Sequence, residues 1–164
     1  MHVDLTGGNP FTAGLSIVGG IVWLDLIGSS SANAFDAGVS GNSMVTLTSQ
    51  SAFSGLTIAD NAMVSLAAGG NKFLTIGPNA TAASLNITGN GTLDINDNDV
   101  IVNAPDAATA DLLLGAIQTL IGQSRNAPSG AWTGSGITST TAKLDGTKLT
   151  GIGAIVNGSI YGTD

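Results

Sequence analysis

This sequence of 164 residues predicts an all-β chain wound as a parallel β-helix (solenoid) of about 19–21 residues per coil. One amphipathic helix is expected to pack on or cap it near the C-terminal part. Three observations carry that expectation. A three-residue apolar–polar–apolar unit recurs along the first two thirds of the chain. Its recurrences keep a nearly constant spacing. The stretches between units are rich in turn formers, and the chain holds 24 Gly.

The units are Leu15-Ser16-Ile17, Leu24-Asp25-Leu26, Val45-Thr46-Leu47, Leu56-Thr57-Ile58, Val64-Ser65-Leu66, Leu74-Thr75-Ile76, Leu85-Asn86-Ile87 and Leu93-Asp94-Ile95. Alternation of period two in Leu, Ile and Val is the pattern of a half-buried strand. Leu56 to Leu74 is 18 residues and Leu74 to Leu93 is 19, while Val45, Val64 and Leu85 are spaced by 19 and 21. Two units per period of about twenty describe stacked coils that share one core. At about 4.8 Å per rung, the clear part is a rod of roughly 15–20 Å. An antiparallel β-sandwich also has many short strands, but it does not require constant spacing.

Taken in order, Leu15 to Ile27 reads as two strands, Leu15–Val18 and Ile21–Leu26, joined by a turn at Gly19-Gly20. The same stretch could serve as a signal h-region with Ala32-Asn33-Ala34 as cleavage site. The missing Lys or Arg ahead of it, and Asp25 within it, argue against that and for a mature or trimmed chain. Nor is there a run of about 20 apolar residues to span a membrane. Asn42, Asn61, Asn71, Asn79, Asn90 and Asn98 fall outside the strand units, where corners need residues that tolerate positive φ. Phe53 and Phe73, each just ahead of a unit, are expected to stack on successive coils.

After Val102 the periodicity changes. Ala110, Leu113, Leu114, Ile117, Leu120 and Ile121 describe an amphipathic helix. Asn103 or Asp106 can cap its start, Arg125 suits the dipole at its end, and Asn126 and Pro128 stop it. The tail offers Ile152, Ile155, Val156 and Ile160-Tyr161 as short strands. The organisation is thus coils over 1–102, helix and cap over 103–128, and Gly/Ser/Thr-rich strands and loop over 129–164.

Charge and composition exclude several functions. There is no Cys, so thiol chemistry and disulfides are out. A net charge of -7 with four Lys+Arg repels phosphate, which argues against a nucleic-acid partner. His2, the only His, lies at the terminus and is a poor general base. The outward Asp25, Asp60 and Asp94 assemble no cleft, so no catalytic residues and no enzyme activity are expected. Asp94, Asn96 and Asn98 resemble the start of an EF-hand loop, but the sixth position is Asp99 and the twelfth Pro105, so that motif fails. They remain candidate oxygen ligands for calcium, the one cofactor considered, against the alternative of a polar corner between strands. Trp23 reads as core. Trp132, in a Gly-rich loop, reads as an anchor or a sugar-stacking ring. Sequons stand at Asn79, Asn86, Asn90 and Asn157.

The run Leu93-Asp94-Ile95-Asn96-Asp97-Asn98-Asp99-Val100-Ile101-Val102, then a helix, then Gly130-Ala131-Trp132-Thr133-Gly134-Ser135-Gly136-Ile137-Thr138-Ser139, resembles a module of large exported bacterial proteins. Such proteins occur in planctomycetes and relatives and are similar to autotransporter-associated β-strand repeats. Many end in a dockerin-like or sorting segment. The resemblance covers about residues 44–161 and implies an extracellular or cell-surface stalk or passenger without catalysis. Two functions follow as expectations. One is a non-catalytic structural module, a spacer, adhesin part or filament subunit, that self-associates through solenoid ends or sides. The other is a β-helix that binds or cleaves a polysaccharide.

Overall fold

The computed structural model describes residues 1–4, 14–26, 34–125 and 130–157. Ten strands and two helices occur among them. They are β1 (His2–Asp4), β2 (Leu15–Asp25), β3 (Phe35–Leu47), β4 (Ser51–Ile58), β5 (Met63–Leu66), β6 (Phe73–Ile76), β7 (Leu85–Ile87), β8 (Thr92–Asp94), β9 (Asp99–Val102), α1 (Ala107–Arg125), β10 (Gly136–Thr138) and α2 (Thr140–Leu144). Every strand pairing is parallel. Parallel neighbours so close in sequence, with no helix between most of them, require the chain to wind in one sense. The protein is a parallel β-solenoid.

The coil has three faces. On the first, Leu15, Ala37, Leu56 and Leu85 stack in register. On the second, Val22, Val45, Val64, Leu93 and Ile137 form one column, with Leu24, Leu47 and Leu66 beside it. On the third, Leu74 lies under Val100, and Phe53 joins Ile76 and Val102. The columns point inward. Ile58, Leu74, Ile76 and Leu93 are 0% exposed. Burial of each such side chain is worth about 1.5–3 kcal/mol, which is what holds strands of three or four residues in place.

Three strand units per coil, rather than two, change the column assignments. Leu56, Leu74 and Leu93, expected to lie over one another, sit on the first, third and second faces. The coil length is 19 from Val45 to Val64. It is 22 to 23 in the coil before, from Leu15 to Ala37 and Leu24 to Leu47. It rises to 26 from Leu74 to Val100 and 29 from Leu56 to Leu85 and from Val64 to Leu93. The additional residues are corner loops, which lengthen a coil without disturbing the columns.

The corner at Gly19-Gly20 lies inside the single strand β2. Both glycines have positive φ (78° and 94°), and the register with β3 shifts between Val18 and Gly20. That bend swings β2 from the first face to the second. Later corners use Asp60, Asn79 and Asn96 in the left-handed region, with φ of 60°, 60° and 52°. Asn42, Asn61 and Asn90 instead form a ladder. Asn61 Nδ2 donates to Asn42 Oδ1 at 3.2 Å, and Asn90 Nδ2 donates to Asn61 Oδ1 at 3.0 Å.

Parity corrects two aromatic expectations. Phe53 pairs edge-on with Phe35, ring centroids 5.3 Å apart, and Phe73 does not join them. Phe73 precedes the inward Leu74, so it faces out, opposite Asp99 in the register. Trp23 lies between the inward Val22 and Leu24; it is not core but 47% exposed. His2 is held in β1, where the Met1 ammonium donates to Ile21 O at 2.9 Å and Trp23 N donates to Met1 O.

The amphipathic helix is present as α1, and Asp106 rather than Asn103 caps it, its Oδ1 accepting Thr109 N at 2.8 Å. Leu113, Ile117, Leu120 and Ile121 join the core, and the helix packs on β10. Asn126, Pro128 and Ile160-Tyr161 lie outside the described residues. The strands expected at Ile152, Ile155 and Val156 are absent as paired strands; the added rung comes earlier, from β10 on β8.

Candidate functional site

The candidate calcium residues sit where the last coil meets α2. Asp94 belongs to the outward row Trp23, Thr46, Ser65, Asp94 on the second face. It was expected to face solvent, yet it is only 5% exposed. The cause is α2. Thr140 N donates to Asp94 Oδ1 at 2.9 Å, the Thr140 hydroxyl donates to Oδ2, and Asn96 N donates to Oδ1 at 3.0 Å. Ser139 adds a second stitch: its hydroxyl donates to Asn96 O at 2.6 Å and accepts Ala142 N at 2.9 Å, capping α2. Asn96 Nδ2 donates to Leu66 O at 2.6 Å. Asn98 Nδ2 donates to Ala67 O and Ile95 O, each at 3.1 Å, while its Oδ1 accepts Lys72 N at 3.1 Å. The three side chains thus serve the backbone of neighbouring coils. Among the described residues no three His or Asp side chains gather as a metal-holding group.

Replacing Asp94 by alanine would leave the amides of Thr140 and Asn96 without their acceptor. A loss of about 2–3 kcal/mol is expected in urea unfolding, with Asp94→Asn losing less because one oxygen survives. Equal losses for the two variants would contradict the latch.

A shallow, open groove of about 530 Å³ runs along the outer side of the first face. Ser16, Asp36, Ser54, Thr57, Thr81 and Ser84 supply its polar lining. Asp36 Oδ1 accepts the Ser54 hydroxyl at 2.7 Å. Gly55 permits this, since a Cβ there would fall 2.8 Å from the same oxygen. Thr81 and Ser84 bond to each other across a turn, Thr81 N donating to Ser84 Oγ at 3.0 Å. Among the described residues the groove is lined by one carboxylate, no Lys or Arg, and no aromatic ring. Its chemistry suits a neutral or cationic polar group. Hydrolysis by paired carboxylates needs two within about 5–9.5 Å. Asp25 and Asp94, both on the second face, are three rungs apart and two positions offset along the strand, about 16 Å.

Trp23 heads a second surface feature. With Ile21 (54% exposed) and Met44 (46%) it makes an apolar patch on the outer side of the second face. Trp23 thus leaves the core in which its sequence context places it, whereas Trp132 takes the anchoring role of its two readings. Trp132 is 6% exposed and anchors its loop, its carbonyl accepting the Thr138 hydroxyl at 3.0 Å. The parity of Val22-Trp23-Leu24 was the signal that could have placed Trp23 outside.

Three carboxyls at corners and caps lie below the usual carboxylate range. Asp97 is lowered chiefly by the Gly69 amide. Asp106 is lowered by the Thr109 amide, then by the Thr109 hydroxyl. Asp145 is lowered most, by the hydroxyls of Thr147 and Thr150 and then by their amides. A carboxyl lowered in the folded state stabilises the fold above its unfolded value and loses that contribution as pH falls through the folded one. Thermal midpoints are therefore expected to hold level from neutral pH to about pH 5. They should fall steadily below 3.8, the ordinary value of these groups. Asp145→Asn should flatten that fall; an unchanged slope would count against the assignment.

No family model, curated protein or solved structure matches the chain. No helix among the described residues is long and apolar enough to cross a membrane. The class that the coordinates define is a three-faced parallel β-helix carrying one long helix against its last rung.

Proposed function

We propose that this solenoid is a non-catalytic structural module of an exported bacterial surface protein, a spacer, adhesin part or filament subunit. One observation carries the reading. Polar side chains at successive corners join coil to coil: the Asn42–Asn61–Asn90 ladder, Asp60 on Gly41 N, Asp97 on Gly69 N, and Asn96 and Asn98 on the preceding coil. Such a molecule acts through shape and stiffness. The resemblance of residues 93–139 to modules of exported proteins supports an extracellular or cell-surface setting. External protease applied to intact cells that express the full protein tests this: cleavage of the chain without lysis is expected, and full protection would refute a surface location.

A second reading, polysaccharide binding, is favoured by Trp23 alone. An exposed indole on a flat sheet face, with Thr46 and Ser65 on successive rungs, has the chemistry to stack on a sugar ring. The structural reading expects neutral and acidic polysaccharides, with and without calcium, to be neither bound nor cleaved. Binding that disappears in Trp23→Ala would replace the first reading with the second.

A further inference from the structure

The segment after α2 has the side-chain pattern of a strand but no strand beside it. Over residues 149–157 the odd positions are exposed and Ile152, Ala154 and Val156 are half-buried. Ile152 and Ala154 pack against the core, and the Trp132 ring lies beside Gly151. No residue from 148 onward to 157 except Lys148 has positive φ. Leu149 N and Thr150 N donate to Asp145 Oδ2. From 151 to 156 no backbone N–H or C=O makes a hydrogen bond among the described residues. An alternating segment with unpaired backbone groups is a template for another strand.

We propose that residues 149–156 pair, antiparallel and across a two-fold axis, with the same segment of a second copy of this chain, the free amides of Ile152 and Ala154 donating across the seam while those of Leu149 and Thr150 stay on Asp145. Three features choose that occupant. Unpaired backbone groups select an extended strand as partner, and residues 151–156 carry the alternating exposure of one. Directly opposed residues of an antiparallel pair share a face, so only registers of matching parity are allowed. The register centred on Ile152 sets Leu149 opposite Ile155 of the partner copy, twice by symmetry. These are the two most exposed apolar side chains of the segment, 89% and 72%. Finally, 149–156 carries no charge, so the local contact does not bring like charges together although each copy bears -7. The reading goes beyond the structural role and does not depend on where the protein is used.

The 164-residue chain has no Cys, so a cross-linking test on it has no background. Leu149→Cys and Ile155→Cys are made as separate single variants. In the proposed register opposed Cα atoms lie about 4.5–5.5 Å apart, within disulfide reach. Two copies of residue 149 would stand about 20 Å from each other. Mild oxidation of the mixed variants should therefore give a covalent dimer, and each variant alone should not. Sedimentation of the unmodified chain from the micromolar to the millimolar range should show a concentration-dependent dimer. Ile155→Lys should weaken it at least about tenfold by placing a charge in the pair, while circular dichroism remains unchanged. Three results would overturn the proposal: a monomer at every concentration, cross-linking of either variant alone as efficient as in the mixture, or a dimer indifferent to Ile155→Lys, which would move the contact to another face such as that of Trp23.

Discussion

Leu93→Ala is expected to lower the unfolding free energy by about 3 kcal/mol, and the melting midpoint by about 6–12 °C. Leu93 is 0% exposed and sits in the inward column of the second face, between Val64 on one side and Ile137 on the other. Truncation removes its transfer energy and leaves a cavity between two rungs that cannot close, because each is held by its own backbone ladder. In a stacked architecture the loss is local. Amide exchange should accelerate first in β8 and β10 and hardly at all in β2. Ile101→Ala is the internal control. Ile101 lies on β9 but is 45% exposed, so its loss should stay within about 1 kcal/mol. Similar losses at the two positions would mean that the columns do not carry the stability.

The strands themselves were legible because the apolar–polar–apolar unit is local. Val45-Thr46-Leu47, Leu56-Thr57-Ile58, Val64-Ser65-Leu66 and Leu74-Thr75-Ile76 all fall in strands. What a triplet cannot state is its face. A unit on the third face reads like one on the first, and corner loops of unequal length scramble the spacing that would separate them. Hence the 19-residue step places Val45 and Val64 in one column correctly, while the similar steps of 18 and 19 group Leu74 with Leu56 and Leu93, which lie on the other two faces. Parity held information that spacing overrode. Both Trp23 and Phe73 flank inward residues, and both face outward. Asp94 illustrates the other limit. Its row is polar and outward by every local rule, and its burial comes from Thr140, 46 residues further on. No pattern around Asp94 announces that partner. The capping of α2 by Ser139 becomes meaningful only once β10 has been laid on β8. The same reasoning applies to residues 149–156: Ile152, Ile155 and Val156 read as short strands, but the missing ladder is not legible there.

Gly136→Ala should be the most damaging conservative change outside the strand columns. Gly136 opens β10 with φ of +100°, a conformation that strains any residue with a Cβ. A methyl group there would also press into the backbone carbonyl of Leu120, in the middle of the face that α1 turns to the core. Backbone cannot yield as a flexible side chain can, so either α1 lifts or β10 leaves the ladder. Gly136 N donates to Gly91 O at 2.9 Å and continues the pairing of β10 with β8, which resists the second outcome. The expected result is a detached or loosened helix at a cost of about 2–4 kcal/mol, combining positive-φ strain with the lost packing of Leu113 and Ile121. It would be seen as rapid amide exchange throughout α1 while β3, β4 and β5 stay protected. Because α1 follows β9 and covers the last rungs, its release would also expose apolar core and promote aggregation at the C-terminal end of the coil. An alanine variant as stable as the parent, with α1 still protected, would show that the seating of α1 on β10 does not depend on the missing Cβ at Gly136.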